Sequence, residues 1–415
     1  MYICPETGEV KISLQKSVQL YRDAYSGHPR KIWALAILTL INRMGTMVLP
    51  FLSVYLTTKL NFSLFQAGLI TSVFGVGTFF GAFFGGKLSD RIGPNPVIIV
   101  SLFMGGIFFI MLQWAKDLPA LYTLFFLVGM FGEAYRPAMS AAVGQYALPG
   151  ESGRSMALIR LAIGLGMSLG PMIGGFVAAA WGYEWLFRLD GTTCVVAAIF
   201  FFINVRSWQR KASDQAAELP MDGKPTLAPW RNPDYLLFLL ATFFMGFAFM
   251  QWFHAMPIFI KQEWIFDERY IGILMGVSSM LIALFEMPIV HSMEKRKKVS
   301  FAILTGLVFF TVCYIPFLFP RGLYLCFIAM LLWTLGVIFF LPFNNIIPLN
   351  MSGADKRGEY MSWYWMCWSL TGILGPGTGL GFAETHGFSA LWLGLAGMMG
   401  ISLLMNVLLR ERIGG

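Results

Sequence analysis

The chain has 415 residues, of which 57% are hydrophobic types and only 13% are charged, with a formal net charge of +8. A soluble chain of this size carries about 25% charged residues, so the composition excludes an ordinary water-soluble fold. Continuous apolar runs of about 20 residues, each able to cross a hydrocarbon core of roughly 30 Å, also exclude a β-barrel, whose strands alternate over about ten residues.

The expected fold is all-α: a polytopic membrane protein with 12 transmembrane helices. Residues 1–30 are polar and mixed in charge, lack the pattern of a cleaved signal peptide, and are read as a cytoplasmic N-terminal segment. Within it, residues 13–27 are expected to form a short interfacial helix. Spans are then predicted at about 32–57, 65–89, 96–115, 119–145, 155–181, 184–205, 234–260, 270–292, 299–317, 322–348, 359–383 and 387–409. The polar stretch 206–233 divides them six and six. This gives an N-terminal bundle over 31–205, a cytoplasmic linker over 206–233, a C-terminal bundle over 234–409 and a tail over 410–415.

Basic residues sort by side. Arg30-Lys31, Lys87, Arg91, Arg154, the linker, the EKRKK run at 294–298, Lys356-Arg357, Arg410 and Arg412 fall on the side of the termini. The opposite loops hold scattered basics such as Lys59, Lys116, Arg188 and Arg321, with Lys261 and Arg269 near one loop. By the positive-inside rule both termini are expected in the cytoplasm of a cell carrying the chain in its inner membrane. The charge therefore serves orientation and makes no case for nucleic acid as a partner. The five cysteines, at 4, 194, 313, 326 and 367, show no paired spacing, so no disulfide framework, metal site or cofactor is expected. Membrane lipid, a small-molecule substrate and protons are the expected partners, and a monomer the expected state.

The two halves repeat. LGPMIGGF at 169–176 recurs as LGPGTGLGF at 374–382, matching Gly170-Pro171 with Gly375-Pro376 at a shift of 205. Gly182 and Gly387 keep that shift, while Asp90 and Glu294 differ by 204. A duplicated six-helix unit follows, two pseudo-symmetric bundles of the kind that rock about a midplane site in alternating access.

With these features the chain resembles the major facilitator superfamily from about Lys31 onward. GGKLSDRIG at 85–93 is similar to its cytoplasmic loop motif through Gly86, Asp90, Arg91 and Gly93, and the resemblance implies a conformational latch there. The family motif usually continues with basic residues; this chain has Pro94-Asn95-Pro96, so its latch is expected to rely less on charge. GLGMSLGPMIGGF in the fifth span resembles the Gly-Pro signature of proton-driven antiporters, with Gly166, Gly170, Pro171, Gly174 and Gly175 in place. Glycines three to four apart equally suit plain helix packing. In the fourth span the family's usual arginine, about ten residues before the proline, is absent; Glu133 and Arg136 stand just before Pro137 instead.

Charges at membrane depth usually face a cavity or a partner. Asn42 and Arg43 of the first span are expected at a depth similar to Glu133 and Arg136, and the resemblance places both helices on the central cavity. An Arg43–Glu133–Arg136 cluster is then either a permanent ion-pair network or a proton-exchanging carboxylate beside cations that draw an anionic substrate group. Glu286 in the eighth span is the second protonation candidate, or else part of a packed polar pocket. Gln251, His254 and Asn344 are candidate cavity residues, and Arg160 and Asp190 read as anchors. HxxxH and GxxxxGK[ST] are absent, and no enzyme is expected. The expected function is secondary active transport, driven by the proton motive force, as antiport exporting an amphipathic drug-like compound or metabolite. The alternative is proton-coupled symport of small peptides or other zwitterions, because NRMG and YRP loosely resemble the cationic elements of peptide symporters.

Overall fold

The computed structural model describes residues 28–45, 47–148, 152–205, 227–295, 299–352 and 356–409, and among these every regular element is a helix. Hydrocarbon offers no partner to a backbone N–H, so helices that satisfy their own amides are the economical way across. The interfacial helix expected over 13–27, Cys4 and most of the linker lie outside the described residues.

The first span consists of two helices, Arg30–Met44 and Val48–Thr58. The spans continue as Leu64–Ile92, Pro94–Leu112, Leu118–Tyr146, Ser152–Trp181, Glu184–Val205, Pro233–Gln262, Glu268–Lys295, Val299–Val312, Leu323–Asn344, Arg357–His386 and Phe388–Leu408. Among the described residues, eleven spans are long and apolar enough by composition to cross a membrane. The remaining helix, Arg357–His386, has 30 residues, ample for a crossing at about 1.5 Å per residue. Its Trp, Gly, Ser and Thr content lowers its apolarity.

Local chemistry starts and stops these helices. Ser63 and Gln66 form a reciprocal capping box at the head of the second span, with bonds of 3.2 and 3.1 Å. Asp117 and Asn232 cap the fourth and seventh spans through the amides of Ala120 and Tyr235. Gly182 and Gly387, the repeat-related pair after the fifth and eleventh spans, both take positive φ, +93° and +84°. Only glycine adopts that backbone without strain, so one tight reversal is built twice.

Packing repeats with the sequence. In the N-terminal half the second helix packs on the fourth, the third on the fourth and sixth, and the first on the fifth. In the C-terminal half the eighth packs on the tenth, the ninth on the tenth and twelfth, and the seventh on the eleventh. Two pseudo-symmetric six-helix bundles result. The halves meet along two seams, second helix on eleventh and fifth on eighth, supplemented by Val48–Thr58 against the seventh.

Both seams use the same parts. A Cβ on Gly68 would stand 2.5 Å from the Pro376 carbonyl oxygen, and one on Gly272 would stand 2.5 Å from that of Pro171. Ser168 Oγ donates to the Gly276 carbonyl at 2.8 Å in one seam, and Gly377 N–H donates to Ser72 Oγ at 3.2 Å in the other. Glu384 accepts from the Phe65 amide at 2.6 Å, closing the second–eleventh seam at its end. These contacts lie in the half of the molecule away from the chain termini, here called the distal half. Among the glycine contacts across the seams in the described residues, the innermost are Gly75 against Gly372 and Gly164 against Ala283. Toward the termini Phe83, Phe84, Leu284, Phe285, Trp365 and Met366 are exposed.

Candidate functional site

The site begins at the break in the first span. The amides of Met47 and Val48, left without helical partners, donate to the two carboxylate oxygens of Asp190 at 3.0 and 2.9 Å. Asp190 is fully buried in the sixth helix, so this segment of the first span is fastened to the N-terminal bundle wall. The break places Arg43 in the last turn of Arg30–Met44.

The fifth helix seats that turn. Gly166, Gly170 and Gly174, four residues apart, face Arg43, Met44 and Met47, and a side chain on any of them would collide with the first span. Pro171 and Gly175 lie on the other face, against Gly272 and Glu268 of the eighth helix. The Gly-Pro signature thus serves two contacts at once. Residues 166–170 also spell GxSxG, the nucleophile-elbow pattern, but Ser168 is mid-helix and its hydroxyl is committed to Gly276.

Across from Arg43, the fourth helix is fixed by Tyr135, whose hydroxyl bonds Thr39 Oγ1 at 2.9 Å. One face of this helix carries Gly132, Arg136, Ser140 and Gly144, all exposed, and Cβ atoms on the two glycines would meet open space. Glu133 pairs with Arg136 at 3.1 Å, with side-chain exposures of 24% and 59%. Arg43 lies within electrostatic range of both. The structure therefore brings Arg43, Glu133 and Arg136 together, two guanidiniums about one carboxylate, with the Arg136 head accessible.

Other candidates fall elsewhere. Asn42 turns to the sixth helix, its amide 3.5 Å from Cys194 Sγ. Gln251 is fully buried and donates to the Gly375 carbonyl at 2.6 Å, with Gly379 packed on its amide. Asn344, also fully buried, donates to the Tyr364 hydroxyl at 3.1 Å. Each of these three amides has a partner on a neighbouring helix. His254 is part-buried, and its Nδ1 has no hydrogen-bond partner among the described residues. Glu286 is part-buried within electrostatic range of Arg160, which reaches it from the other half.

At the loop motif, Gly93 has φ +86° and joins the second and third helices without a spacer. Arg91 is exposed and Gly86 has only Pro137 near its Cβ position, at 3.9 Å; the side chain of Asp90 lies outside the described residues. Asn95 donates to the Tyr146 hydroxyl at 2.6 Å, a neutral tie to the end of the fourth helix. Sequence reading missed Gly68 and Gly272. The signal was present, because AGLITS at 67–72 and IGILMG at 271–276 keep the shift of 204.

Comparison with known proteins agrees with this architecture. The chain is 26% identical over 398 residues to the uncharacterized MFS-type transporter YttB of Bacillus subtilis, covering 93% of this chain and 96% of that one. It is 24% identical to the multidrug resistance protein MdtH of Cronobacter sakazakii, over 70% of this chain and 71% of the relative. Its fold matches the crystal structure of a POT family transporter in complex with 5-aminolevulinic acid, with a TM-score of 0.77 at 14% identity over 94% of this chain and 98% of the other. The profile of the Major Facilitator Superfamily matches residues 35–376. Paired bundles, duplicated seams and this match over most of the length make the chain a member of the Major Facilitator Superfamily, a secondary active transporter working by alternating access.

Proposed function

We propose that the chain is a proton-coupled carrier whose Arg43–Glu133–Arg136 cluster recognises the carboxylate of a small zwitterion, such as a short peptide, and moves it inward with protons. The observation that carries this reading is the charge count of the cluster: two guanidiniums face one carboxylate. A net positive site in a low-dielectric setting attracts anions and repels lipophilic cations. Guanidinium also matches a carboxylate in bidentate fashion. Glu133 is the proton acceptor of this reading, since neutralising it raises the positive charge offered to an incoming carboxylate. Both termini are taken as cytoplasmic from the lysine and arginine distribution. The bound 5-aminolevulinic acid of the POT family structure is a ligand of the expected class.

The second reading, proton-coupled export of an amphipathic compound, is favoured by the multidrug resistance relatives. Proteoliposomes with an imposed pH gradient separate the two. Uptake of labelled dipeptides or 5-aminolevulinate down the proton gradient, lost in Arg43→Ala and uncoupled in Glu133→Gln, is the expected result. Extrusion of lipophilic cations with no response to zwitterions replaces this reading with the second.

A further inference from the structure

The fifth–eighth seam is held at its distal end, where Glu268 pairs with Lys261 at 2.8 Å and accepts the hydroxyl of Tyr183 from the other half. Toward the termini it is open. A Cβ on Gly164 would stand 3.3 Å from that of Ala283, and beyond this contact Leu284 and Phe285 are exposed. Arg160 lies four residues from Gly164 and Glu286 three from Ala283, both on the terminal side, so each shares the seam face of its helix. Each stands roughly 12–14 Å from the terminal-side end of its helix at about 1.5 Å per residue. The two are thus opposed at one depth, within electrostatic range but with no ion pair between them. Arg160 is exposed and Glu286 part-buried, and neither hydrogen-bonds another described residue.

The duplicated seam carries no such charges. At the repeat shifts of 204 and 205, Ala82 takes the place of Glu286 and Trp365 that of Arg160, and both are exposed. Shared helix packing therefore does not require the pair, and charges at this depth are costly to keep. Alternating access closes the terminal ends of both seams as the distal ends open. Closure withdraws Arg160 and Glu286 from solvent, and a buried charge left without a partner is strongly destabilising. Across this seam each is the other's opposite charge. Their approach offsets the desolvation of both, and a guanidinium matches a carboxylate through paired N–H donors.

We propose that Arg160 and Glu286 join in an ion pair when the terminal side closes, and that this pair stabilises the distally open state. Glu286 then serves the cycle as the counter-charge of Arg160. The assignment is independent of the substrate and of the role given to Glu133.

The test uses the full chain in lipid nanodiscs with its native cysteines replaced and new ones at Ala82→Cys and Trp365→Cys, the repeat-related positions in the other seam. A disulfide between them, formed under mild oxidant, traps the state closed on the terminal side. Its rate of formation follows the population of that state. Glu286→Gln and Arg160→Gln are each expected to slow it about tenfold, the scale of one charge-assisted hydrogen bond. The exchange of Arg160→Glu with Glu286→Arg is expected to restore it. An unslowed rate in both single variants overturns the proposal. A slow rate in the folded exchange variant overturns it equally, and is the result expected if Glu286 instead binds a proton or substrate. No disulfide in the otherwise unaltered chain also overturns it, because the terminal side then does not close in the register that opposes the pair. Where a single variant does not fold, the exchange variant decides.

Discussion

Asp190 shows what one buried carboxylate does when it meets two amides that a helix break has freed. Its oxygens take the N–H groups of Met47 and Val48, and it is inaccessible to solvent. Leaving a buried donor unsatisfied costs about 1–3 kcal/mol. Asp190→Ala is accordingly expected to lose about 2–4 kcal/mol, read as a drop in unfolding temperature of the detergent-solubilised protein. Asp190→Asn keeps one acceptor oxygen and should lose about half as much. A melting point unchanged in both variants would falsify the capping role. The sequence marks Asp190 as an anchor because a charge at membrane depth needs a partner. It does not reveal that the partner is backbone in the first span, since Gly45 and Pro50 mark a possible break without saying which side chain receives the freed amides. The same gap explains Gln251 and Asn344. Polar residues in apolar runs announce a need for hydrogen bonds, but only the neighbouring helix decides what supplies them, here the Gly375 carbonyl for Gln251 and the Tyr364 hydroxyl for Asn344.

Glycine patterns act at the scale of whole helices. In the fifth helix, residues 166, 170 and 174 face the first span, while Gly175 and the Pro171 carbonyl face the eighth. Spacing alone makes both faces legible as smooth, yet it does not say which neighbour each one meets. The duplicated seam gives a sharp expectation. Gly68→Leu and Gly272→Leu insert side chains against the Pro376 and Pro171 carbonyls, which belong to backbone and cannot rotate away. Each substitution should therefore widen its own distal seam, reducing disulfide crosslinking between cysteine pairs placed across it by about tenfold. Small-to-large changes in packed interfaces commonly cost about 1–3 kcal/mol, which is the free energy that such a shift needs. Gly397→Leu in the twelfth helix, where a Cβ meets nothing within 4 Å, serves as the control and should leave both seams closed.

At the scale of the molecule, contacts between the halves gather distally, whereas the fourth-helix face of Gly132, Arg136, Ser140 and Gly144 is open. On the orientation proposed from the basic residues, with the termini cytoplasmic, this arrangement is expected to be open to the inside. Cysteines at Ser140 and Gly144 should then react with a membrane-impermeant maleimide in inside-out vesicles several times faster than in right-side-out ones. A cysteine at Gly272, closed within the seam, should react slowly in both. Equal labelling of Ser140→Cys from the two sides would contradict the inward-open assignment. The sequence by itself determined the membrane class, the span count, the six-plus-six division and the duplication, because composition, run length and a constant repeat shift are properties of the chain alone. Tertiary structure decided which charges meet, which amides serve packing, and that Tyr183 and Glu268 join across the seam. Those contacts link residues up to hundreds of positions apart, and helical periodicity describes only the face a residue occupies, not the helix that comes to cover it.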